Sequence, residues 1–252
     1  MPRSNFQYLI ASHTDIASMA DALASFTPVS NNVEAVIYRF PREIPQPLLT
    51  RISNAGWAEA RLMDCAHFIL QNNPLTQQAL YNGFFDYIGA EYESLISVSR
   101  NCDNIKHLLY LLRQHSGSLE AKELIDFGCG TGLALTQLQA AKAQFVGVDQ
   151  SAHMRDIAQH RGMNTIDLVA LRGRPSRFDG AIASYVLHMV SDETAIAGVA
   201  SSLKKGATLV GNFHKGLNVQ WMDGVFAKYG CKATRLDASA IHGTYIGYTK
   251  LR

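Results

Sequence analysis

The segment Leu124-Ile125-Asp126-Phe127-Gly128-Cys129-Gly130-Thr131-Gly132 joins a short strand pattern to three closely spaced glycines. Two apolar residues and an acid lead into glycines at alternate positions, and residues 133–141 have the composition of a helix. Glycine lacks a Cβ atom and accepts positive φ angles, so the chain can turn tightly here and approach a ligand closely. Because the free N–H groups at a helix start face such a turn, the segment predicts a strand, a ligand-binding turn and a helix.

Short apolar runs alternate with helical patterns from residue 123 onward, which is typical of a parallel sheet covered by helices on both faces. A helix is predicted at residues 219–229, and residues 75–114 are predicted to be predominantly helical. The last two predicted strands form a hairpin. The predicted strands are residues 123–127, 144–149, 164–169, 178–184, 207–213, 232–236 and 245–250.

The string D-x-G-C-G-T-G at residues 126–132 resembles the first motif of class I S-adenosylmethionine-dependent methyltransferases. Its G-x-G-x-G spacing differs from the G-x-G-x-x-G of dinucleotide-binding enzymes. The resemblance implies an α/β fold with a seven-stranded, mostly parallel sheet of the Rossmann-like methyltransferase type, and S-adenosyl-L-methionine as the cofactor. It also implies that the cofactor lies over the motif, against Asp126, Gly128, Cys129 and Gly130.

Asp149 ends the second predicted strand of this region, in Val-Gly-Val-Asp-Gln-Ser. A ligand in an open α/β sheet lies across the carboxyl ends of the strands. A carboxylate at that place can accept two hydrogen bonds from a ribose diol. An NAD-binding site would carry the same acid, and the glycine spacing favours S-adenosylmethionine. We therefore predict that Asp149 and its neighbour Gln150 bind the cofactor.

The segment Phe85-Asp86-Tyr87-Ile88-Gly89-Ala90-Glu91-Tyr92-Glu93 is similar to the Y-D-x-x-A-x-x-Y-D segment that precedes the first motif in many small-molecule methyltransferases. Phe85 and Glu93 depart from that pattern. The resemblance implies that Tyr92 reaches the carboxylate end of the cofactor, whereas packing inside an amphipathic helix is the ordinary role of such an aromatic residue.

Residues 167–179 are similar to the family's G-D-A-x-x-L-P-F-x-x-x-S-F-D segment. The resemblance implies that Asp167 binds the adenine amino group and that Leu168 supplies a backbone N–H to the ring. Arg172-Gly173-Arg174 departs from the family pattern. These arginines are either part of a solvated basic loop or a grip on an acidic substrate.

Residues 183–192 look like the family's V-L-H-H-V-P-D stretch, which borders both cofactor and substrate. Ser184 and Tyr185 are therefore candidates for the methionine end of the cofactor. The N-P-P-Y-type sequence of nucleic-acid amino methyltransferases is absent from this stretch, which argues against a nucleic-acid base as the substrate.

Three residues are candidates for catalysis. Methyl transfer from a sulfonium depends on alignment of the reactants, which can be worth about 7–11 kcal/mol. A base is needed only if the nucleophile is protonated at the working pH. His188 and His214 lie at or just past the predicted fourth and fifth strands and could take a proton near neutrality, and Tyr185 is the third candidate. No carboxylate cluster suggests a metal, so none is predicted.

The overall composition is that of an ordinary globular chain. Of its 252 residues, 47% are hydrophobic and 17% charged, and the net charge of +2 gives no general footprint for nucleic acid or a membrane. Four widely spaced cysteines show no disulfide pattern, and no signal peptide is apparent. We therefore expect a cytoplasmic protein, and the moderate charge together with the habits of the family that it resembles favours a small-molecule substrate.

The amino-terminal region is predicted to be a separate α/β appendage at residues 1–74, followed by a methyltransferase domain at 75–252. Residues 6–11, 33–40 and 57–63 have strand composition, and residues 48–54 have helix composition. The appendage could close the pocket or form a homodimer contact.

Three functional hypotheses remain open at the level of sequence. The first is a methyltransferase that acts on an N, O or C nucleophile of a small molecule. The second is a protein of the same fold that binds S-adenosylmethionine without methyl transfer. The third is a protein methyltransferase that uses the amino-terminal region for docking.

Overall fold

The chain forms two compact units, of which the first ends at Ser97 and the second begins at Val98. The computed structural model describes residues 6–55, 58–63, 65–70, 74–214 and 218–251. The domain boundary that we predicted after residue 74 lies earlier than this division. The first helices after residue 74 therefore pack within the first unit.

The first unit is a five-stranded α/β layer with strand order β2-β3-β1-β5-β4. Strands β1 and β5 are parallel, and the other neighbouring pairs are antiparallel. Strand β5 was not predicted, and Trp57 of the predicted strand at 57–63 lies outside the described residues. The elements are β1 (Gln7–Ala11), α1 (His13–Ser18), α2 (Ala20–Leu23), β2 (Ser30–Asn31), β3 (Val36–Phe40), α3 (Gln46–Asn54), β4 (Ala58–Leu62), β5 (Ala66–Leu70), α4 (Pro74–Ile88), a 3-10 turn (Gly89–Glu91) and α5 (Tyr92–Leu95).

Both faces of this sheet are covered, because successive side chains of a strand point to opposite faces. Leu9 packs in one cluster with Leu23 of α2 and Ile52 of α3. The neighbouring residue Tyr8 points to the other face and meets Phe84 of α4, with ring centroids 5.5 Å apart. This contact explains why α4 belongs to the first unit.

The second unit contains the predicted seven-stranded sheet, in the order β11-β12-β10-β9-β6-β7-β8. Strand β12 is antiparallel to both of its neighbours, and the pairs among β6, β7, β8, β9 and β10 are parallel. The predicted fold class is therefore confirmed. The elements are α6 (Val98–Ser116), β6 (Glu123–Phe127), α7 (Leu135–Ala140), β7 (Gln144–Val148), α8 (Ala152–His160), β8 (Thr165–Ile166), α9 (Leu168–Arg172), β9 (Phe178–Ala183), α10 (Glu193–Ser202), β10 (Leu203–Phe213), α11 (Val219–Lys228), β11 (Cys231–Ser239) and β12 (Gly243–Lys250).

Helices cover both faces of the second sheet. On β6, Leu124 packs with Leu108 of α6 and Leu138 of α7, whereas the next residue, Ile125, packs with the opposite cluster that includes Ile196 of α10 and Phe226 of α11. Each such buried aliphatic or aromatic side chain contributes about 1.5–3 kcal/mol through the hydrophobic effect. Burial on both faces explains why these strands read as continuous apolar runs in the sequence.

Several strands differ from their predicted lengths, and β11 extends to Ser239, three residues beyond its predicted end. Strand β8 is only two residues long, and the prediction of a strand at 164–169 was wrong at its carboxyl end because Asp167 begins a helix instead. Strand β10 starts at Leu203, earlier than predicted. Within the described ranges, no helix has both the length and the apolar character needed to cross a membrane.

Candidate active site

The carboxyl ends of the central strands meet at one edge of the second sheet. The chain order reverses at β6, since β7 and β8 follow on one side and β9 and β10 on the other. Such a reversal opens a crevice outside the strand ends, which is where open α/β sheets bind ligands. The residues that follow β6, β7, β9 and β10 therefore define the candidate site.

The glycine turn after β6 folds against both neighbouring strands. Gly128, Gly130 and Gly132 have φ angles of 73°, 51° and 83°, in the left-handed region that favours glycine. The N–H of Gly128 donates to the Val148 carbonyl at 2.7 Å. A Cβ atom on Gly128 would lie 2.1 Å from a methyl carbon of Val186. Glycine is thus required at 128 by the chain's own packing, independently of any ligand.

Asp149 points toward this turn. Its Oδ2 accepts a hydrogen bond from the Gly130 N–H at 2.9 Å, and its Oδ1 accepts one from the Ser151 N–H at 3.0 Å. The side chain is therefore held in one orientation beside the turn, as binding of a diol requires.

Gln150 carries a buried acceptor next to this carboxylate. Its side-chain oxygen, Oε1, is buried and has no hydrogen-bond partner within the described part of the chain. The guanidinium of Arg155 donates to the backbone carbonyls of both Asp149 and Gln150 at 2.8 Å, which fixes the chain here. Because an unsatisfied buried acceptor costs about 1–3 kcal/mol, a ligand that donates to it would be stabilised.

Asp167 and Leu168 lie at the same edge, after β8. Oδ1 of Asp167 accepts a hydrogen bond from the Ala170 N–H at 2.7 Å and so caps α9. Leu168 is the first residue of that helix, where backbone N–H groups have no partner within the helix. An N–H without a partner inside the helix suits the role that the resemblance implied, and the two adenine contacts stay predictions.

Asp126 and Cys129 form the buried floor of the turn. Burial, followed by the negative charge of Asp149, raises the pKa of Asp126 to about 7. Burial also raises the pKa of the Cys129 thiol, with further contributions from Asp149 and Asp126. A Cβ atom on Gly147 would lie 2.8 Å from Cys129 Sγ, so that thiol faces the core rather than the crevice. It is therefore a protonated packing group.

A buried polar network joins the ends of β9 and β10 to α6, and it was not predicted from the sequence. Asn104 of α6 donates to both Ser184 Oγ and Asn212 Oδ1 at 2.9 Å. Its own Oδ1 accepts a hydrogen bond from the Tyr245 hydroxyl at 2.7 Å. The available signal was that Asn104 occupies the apolar stripe of α6, four residues before Leu108. Predicted site residue Ser184 is thus held by a completely buried amide.

The three predicted catalytic residues come together beyond β9 and β10. The rings of Tyr185 and His214 lie 6.2 Å apart, and those of His188 and His214 lie 6.3 Å apart. Burial, and then the positive charge of His214, lowers the pKa of His188 to about 4, so His188 is neutral at physiological pH. The sequence missed a fourth member, His242, whose Nδ1 is hydrogen-bonded to the Tyr185 hydroxyl.

Tyr92 belongs to the first unit. It is the first residue of α5, and its ring lies 6.1 Å from that of Phe85. Its contact with the cofactor stays a prediction. Over the part of the chain that the structure describes, no group of His, Cys, Asp and Glu side chains is placed to hold a metal ion.

Residues 125–211 match the model of a family described as a methyltransferase domain. This match confirms the resemblance found in the sequence: residues 125–211, within the second unit, are similar to a methyltransferase domain. The predicted cofactor, S-adenosyl-L-methionine, is that of the domain.

Two curated relatives match part of the chain. A stretch of 103 residues is 25% identical to a ubiquinone biosynthesis O-methyltransferase of Bordetella pertussis, and covers 37% of this chain and 43% of that protein. A stretch of 115 residues is 29% identical to an uncharacterized methyltransferase of Anoxybacillus flavithermus, and covers 43% of this chain and 52% of that protein. The chain thus spans about half the length of these relatives.

Two solved structures share the fold. The methyltransferase in complex with the Trm112 activator of Haloferax volcanii matches with a TM-score of 0.54 at 15% identity, over 67% of this chain and 98% of that one. The magnesium protoporphyrin IX methyltransferase of Synechocystis, solved with S-adenosylmethionine bound, gives 0.53 at 16% identity, over 69% and 97%. At these identities the likeness concerns the fold alone.

The residues at this edge fit the cofactor of the domain. The fixed carboxylate of Asp149 can accept hydrogen bonds from a ribose diol. The buried side-chain oxygen of Gln150 has no hydrogen-bond donor among the described residues, and a bound ligand could supply one. The carboxyl group of Asp126, which lies beneath the turn and ionises near neutrality, suits a ligand with positive charge. The chemistry of this part of the edge therefore agrees with a cationic nucleoside.

We expect Asp149→Asn to weaken binding of S-adenosylmethionine by about 100-fold, because hydrogen bonds to a charged acceptor are worth about 1.5–3 kcal/mol each. Isothermal titration calorimetry measures the effect. Asp156→Asn is the matched control, since Asp156 is exposed on α8. Equal affinity in Asp149→Asn and the parent would remove Asp149 from the sugar site.

We also expect Asp126→Asn to change how stability depends on pH without cofactor. The folded-state pKa of Asp126, about 7, lies above its ordinary value of 3.8, so the stabilisation from this group is complete below about pH 4 and is lost as pH rises through 7. Between about pH 4 and 7, the free energy of unfolding in urea should therefore fall by on the order of 3 kcal/mol more in the parent than in Asp126→Asn.

The exposed-site variant Asp156→Asn should run parallel to the parent in the same series. If the difference between Asp126→Asn and the parent stays constant at every pH, the carboxyl group of Asp126 ionises normally in the folded chain.

Proposed function

We propose that this protein transfers a methyl group from S-adenosylmethionine to a small molecule. The observation that carries the proposal is the carboxylate of Asp149, held against the glycine turn at one end of an edge whose other end presents Tyr185, His188 and His214. The first end suits the nucleoside of the cofactor, and the second offers groups that can orient an acceptor or take its proton.

The bound cofactor would supply a methyl group on a positively charged sulfur, which is already an activated leaving group. The protein then has to align the acceptor with that methyl carbon and keep water out. We assign Asp149 and Gln150 to the sugar side, Asp167 and Leu168 to adenine, and the turn at 128–132 with Ser184 to the methionine side.

The spacing of the strands supports a division of the edge into two halves. Neighbouring strands lie about 4.8 Å apart, and β7, β6, β9 and β10 are consecutive in the sheet. A ligand whose sugar lies beside β7 and which extends across β6 therefore ends near β9. The side chains after β9 and β10 then face the space where the acceptor must lie.

A small-molecule acceptor agrees with the name of one of the two relatives. The match to a ubiquinone biosynthesis O-methyltransferase concerns a protein named for a small-molecule pathway, and it supports the same class of acceptor here. The low net charge of +2 also gives no reason to propose a nucleic-acid partner.

The role of the first unit stays a prediction. A homodimer through this unit would double the mass of the 27.7 kDa chain in solution, which light scattering after size-exclusion chromatography measures directly.

We expect the protein to yield a labelled product of low molecular mass when it is incubated with methyl-labelled S-adenosylmethionine and a cell extract freed of macromolecules. Asp149→Asn is the matched negative control, because its turnover should fall with its affinity. Chromatography of the labelled products shows whether the methyl acceptor is a small molecule or a protein.

Label found only on protein, in a parallel extract that retains macromolecules, would favour a protein substrate. Binding of the cofactor with no labelled product in either extract would contradict methyl transfer and favour a binding protein of the same fold.

A further inference from the structure

The Tyr185–His242 pair brings together two segments that are 57 residues apart in the chain. Tyr185 follows β9, and His242 lies in the turn between β11 and β12. The Tyr185 hydroxyl is hydrogen-bonded to His242 Nδ1, and the ring centroids are 6.0 Å apart. Both residues are half-buried in the described structure.

The backbone around Tyr185 is held in a conformation that an aromatic residue rarely adopts. Its φ angle is 57°, in the left-handed region, which costs on the order of 1–3 kcal/mol. The Tyr185 N–H donates to Asn212 Oδ1 at 2.8 Å, and Asn212 is itself completely buried and bound to Asn104. A strained residue that a buried network holds in place is typical of functional sites.

The turn that carries His242 is fixed from the other side. Gly243 has a φ angle of 85°, and a Cβ atom there would lie 2.0 Å from the Phe213 carbonyl oxygen. Asn212 also donates to the His242 carbonyl at 2.8 Å. The turn is therefore pressed against the end of β10, and His242 stays within reach of Tyr185.

The charges around the pair favour an acceptor that becomes an anion. Burial raises the pKa of Tyr185, and the positive charge of Arg100 opposes that effect. Burial, and then Arg100, lowers the pKa of His242, which favours the neutral imidazole. A positive potential stabilises an oxygen anion and disfavours an ammonium group. The groups whose charges act on His242 are Arg100, Asp103 and His107 of α6 and His214 at the end of β10.

We propose that Tyr185 is a catalytic residue that takes the proton of a phenol-type hydroxyl on the acceptor, with His242 behind it as the positioning residue that receives the Tyr185 proton. The proposal rests on the proposed methyl transfer and adds to it the class of nucleophile, an acidic hydroxyl oxygen.

The proposed step is balanced in protons and electrons. A tyrosine hydroxyl has one donor and two acceptor positions, so a Tyr185 that donates to His242 presents its oxygen to a second hydroxyl. The acceptor proton passes to the Tyr185 oxygen as the Tyr185 proton passes to His242 Nδ1, which gives an imidazolium. The acceptor oxygen keeps the O–H electron pair and uses it for the new O–C bond, while the pair of the breaking S–C bond stays on sulfur.

The test uses 4-nitrophenol, whose ionised form absorbs at a longer wavelength than its neutral form. The full chain is saturated with S-adenosylhomocysteine and mixed with the probe at a pH below the probe's own pKa. We expect the parent protein to shift the bound probe toward the ionised spectrum. Tyr185→Phe should abolish the shift and weaken binding about tenfold or more, through loss of a hydrogen bond to a charged group.

His242→Gln separates proton transfer from hydrogen bonding. Glutamine can accept a hydrogen bond from Tyr185 but cannot take its proton, so this variant should still bind neutral 4-nitrophenol and show no spectral shift. The matched controls are Tyr110→Phe and His115→Gln, both at exposed positions of α6, and both should behave as the parent does.

Calorimetry with S-adenosylhomocysteine distinguishes a failure of the proposed methyltransferase function from a failure of the proton-accepting pair. If that ligand binds neither the parent nor the variants, the proposed methyltransferase function is wrong. If it binds all of them equally while Tyr185→Phe and His242→Gln keep the spectral shift, or if 4-nitrophenol does not bind, the proton-accepting pair is wrong and the wider function stands.

Discussion

The hydrogen bond from the Gly130 N–H to the Asp149 carboxylate connects the end of β7 to the glycine turn after β6. The rest of the site depends on this contact, because it fixes a carboxylate at the point where the sheet order reverses. The backbone bonds from Gly128 and Cys129 to the Val148 carbonyl hold the same two segments together. Val186 then packs on Gly128 from the other side, so the loop after β9 is positioned by the turn as well.

The polar and charged side chains differ between the two halves of the sheet edge, and this difference suits methyl transfer. Asp149 places a carboxylate on the β6–β7 side, next to the buried carboxyl group of Asp126, and this suits a cationic sulfonium nucleoside. On the β9–β10 side the polar groups include imidazoles and a phenol, and the positive charge of Arg100 acts on Tyr185 and His242. This side suits an acceptor that loses a proton and becomes nucleophilic. The buried amides of Asn104 and Asn212 hold the second half together without adding charge.

The sequence predicted what local patterns determine. The strands around the glycine turn are apolar on both faces and bounded by turn residues, so their positions could be predicted to within a few residues. Asp149 could be predicted because a short strand brings it a fixed distance after the turn. The early end of β8 was missed because Asp167 caps a helix, a side-chain interaction that competes with extended structure and is not visible in apolar periodicity.

Contacts between distant segments could not be predicted. The Tyr185–His242 pair joins positions that share no local pattern, and only the sheet order and the β11–β12 turn bring them together. Asn104 left a trace as a polar residue in an apolar stripe, but its partners Ser184 and Asn212 are about 80 and 108 positions away. The helix α4 was assigned to the second domain because helix content alone does not show which sheet a helix covers.

The most direct test of whether Asp149 binds the sugar of the cofactor is to remove the ribose hydroxyl groups from the ligand. Calorimetry should compare S-adenosylhomocysteine with its analogue that lacks both ribose hydroxyl groups, on the parent protein and on Asp149→Asn. We predict that the analogue binds the parent about 100-fold more weakly, and that most of this difference disappears in Asp149→Asn. Equal affinity of the parent for the two ligands would contradict it.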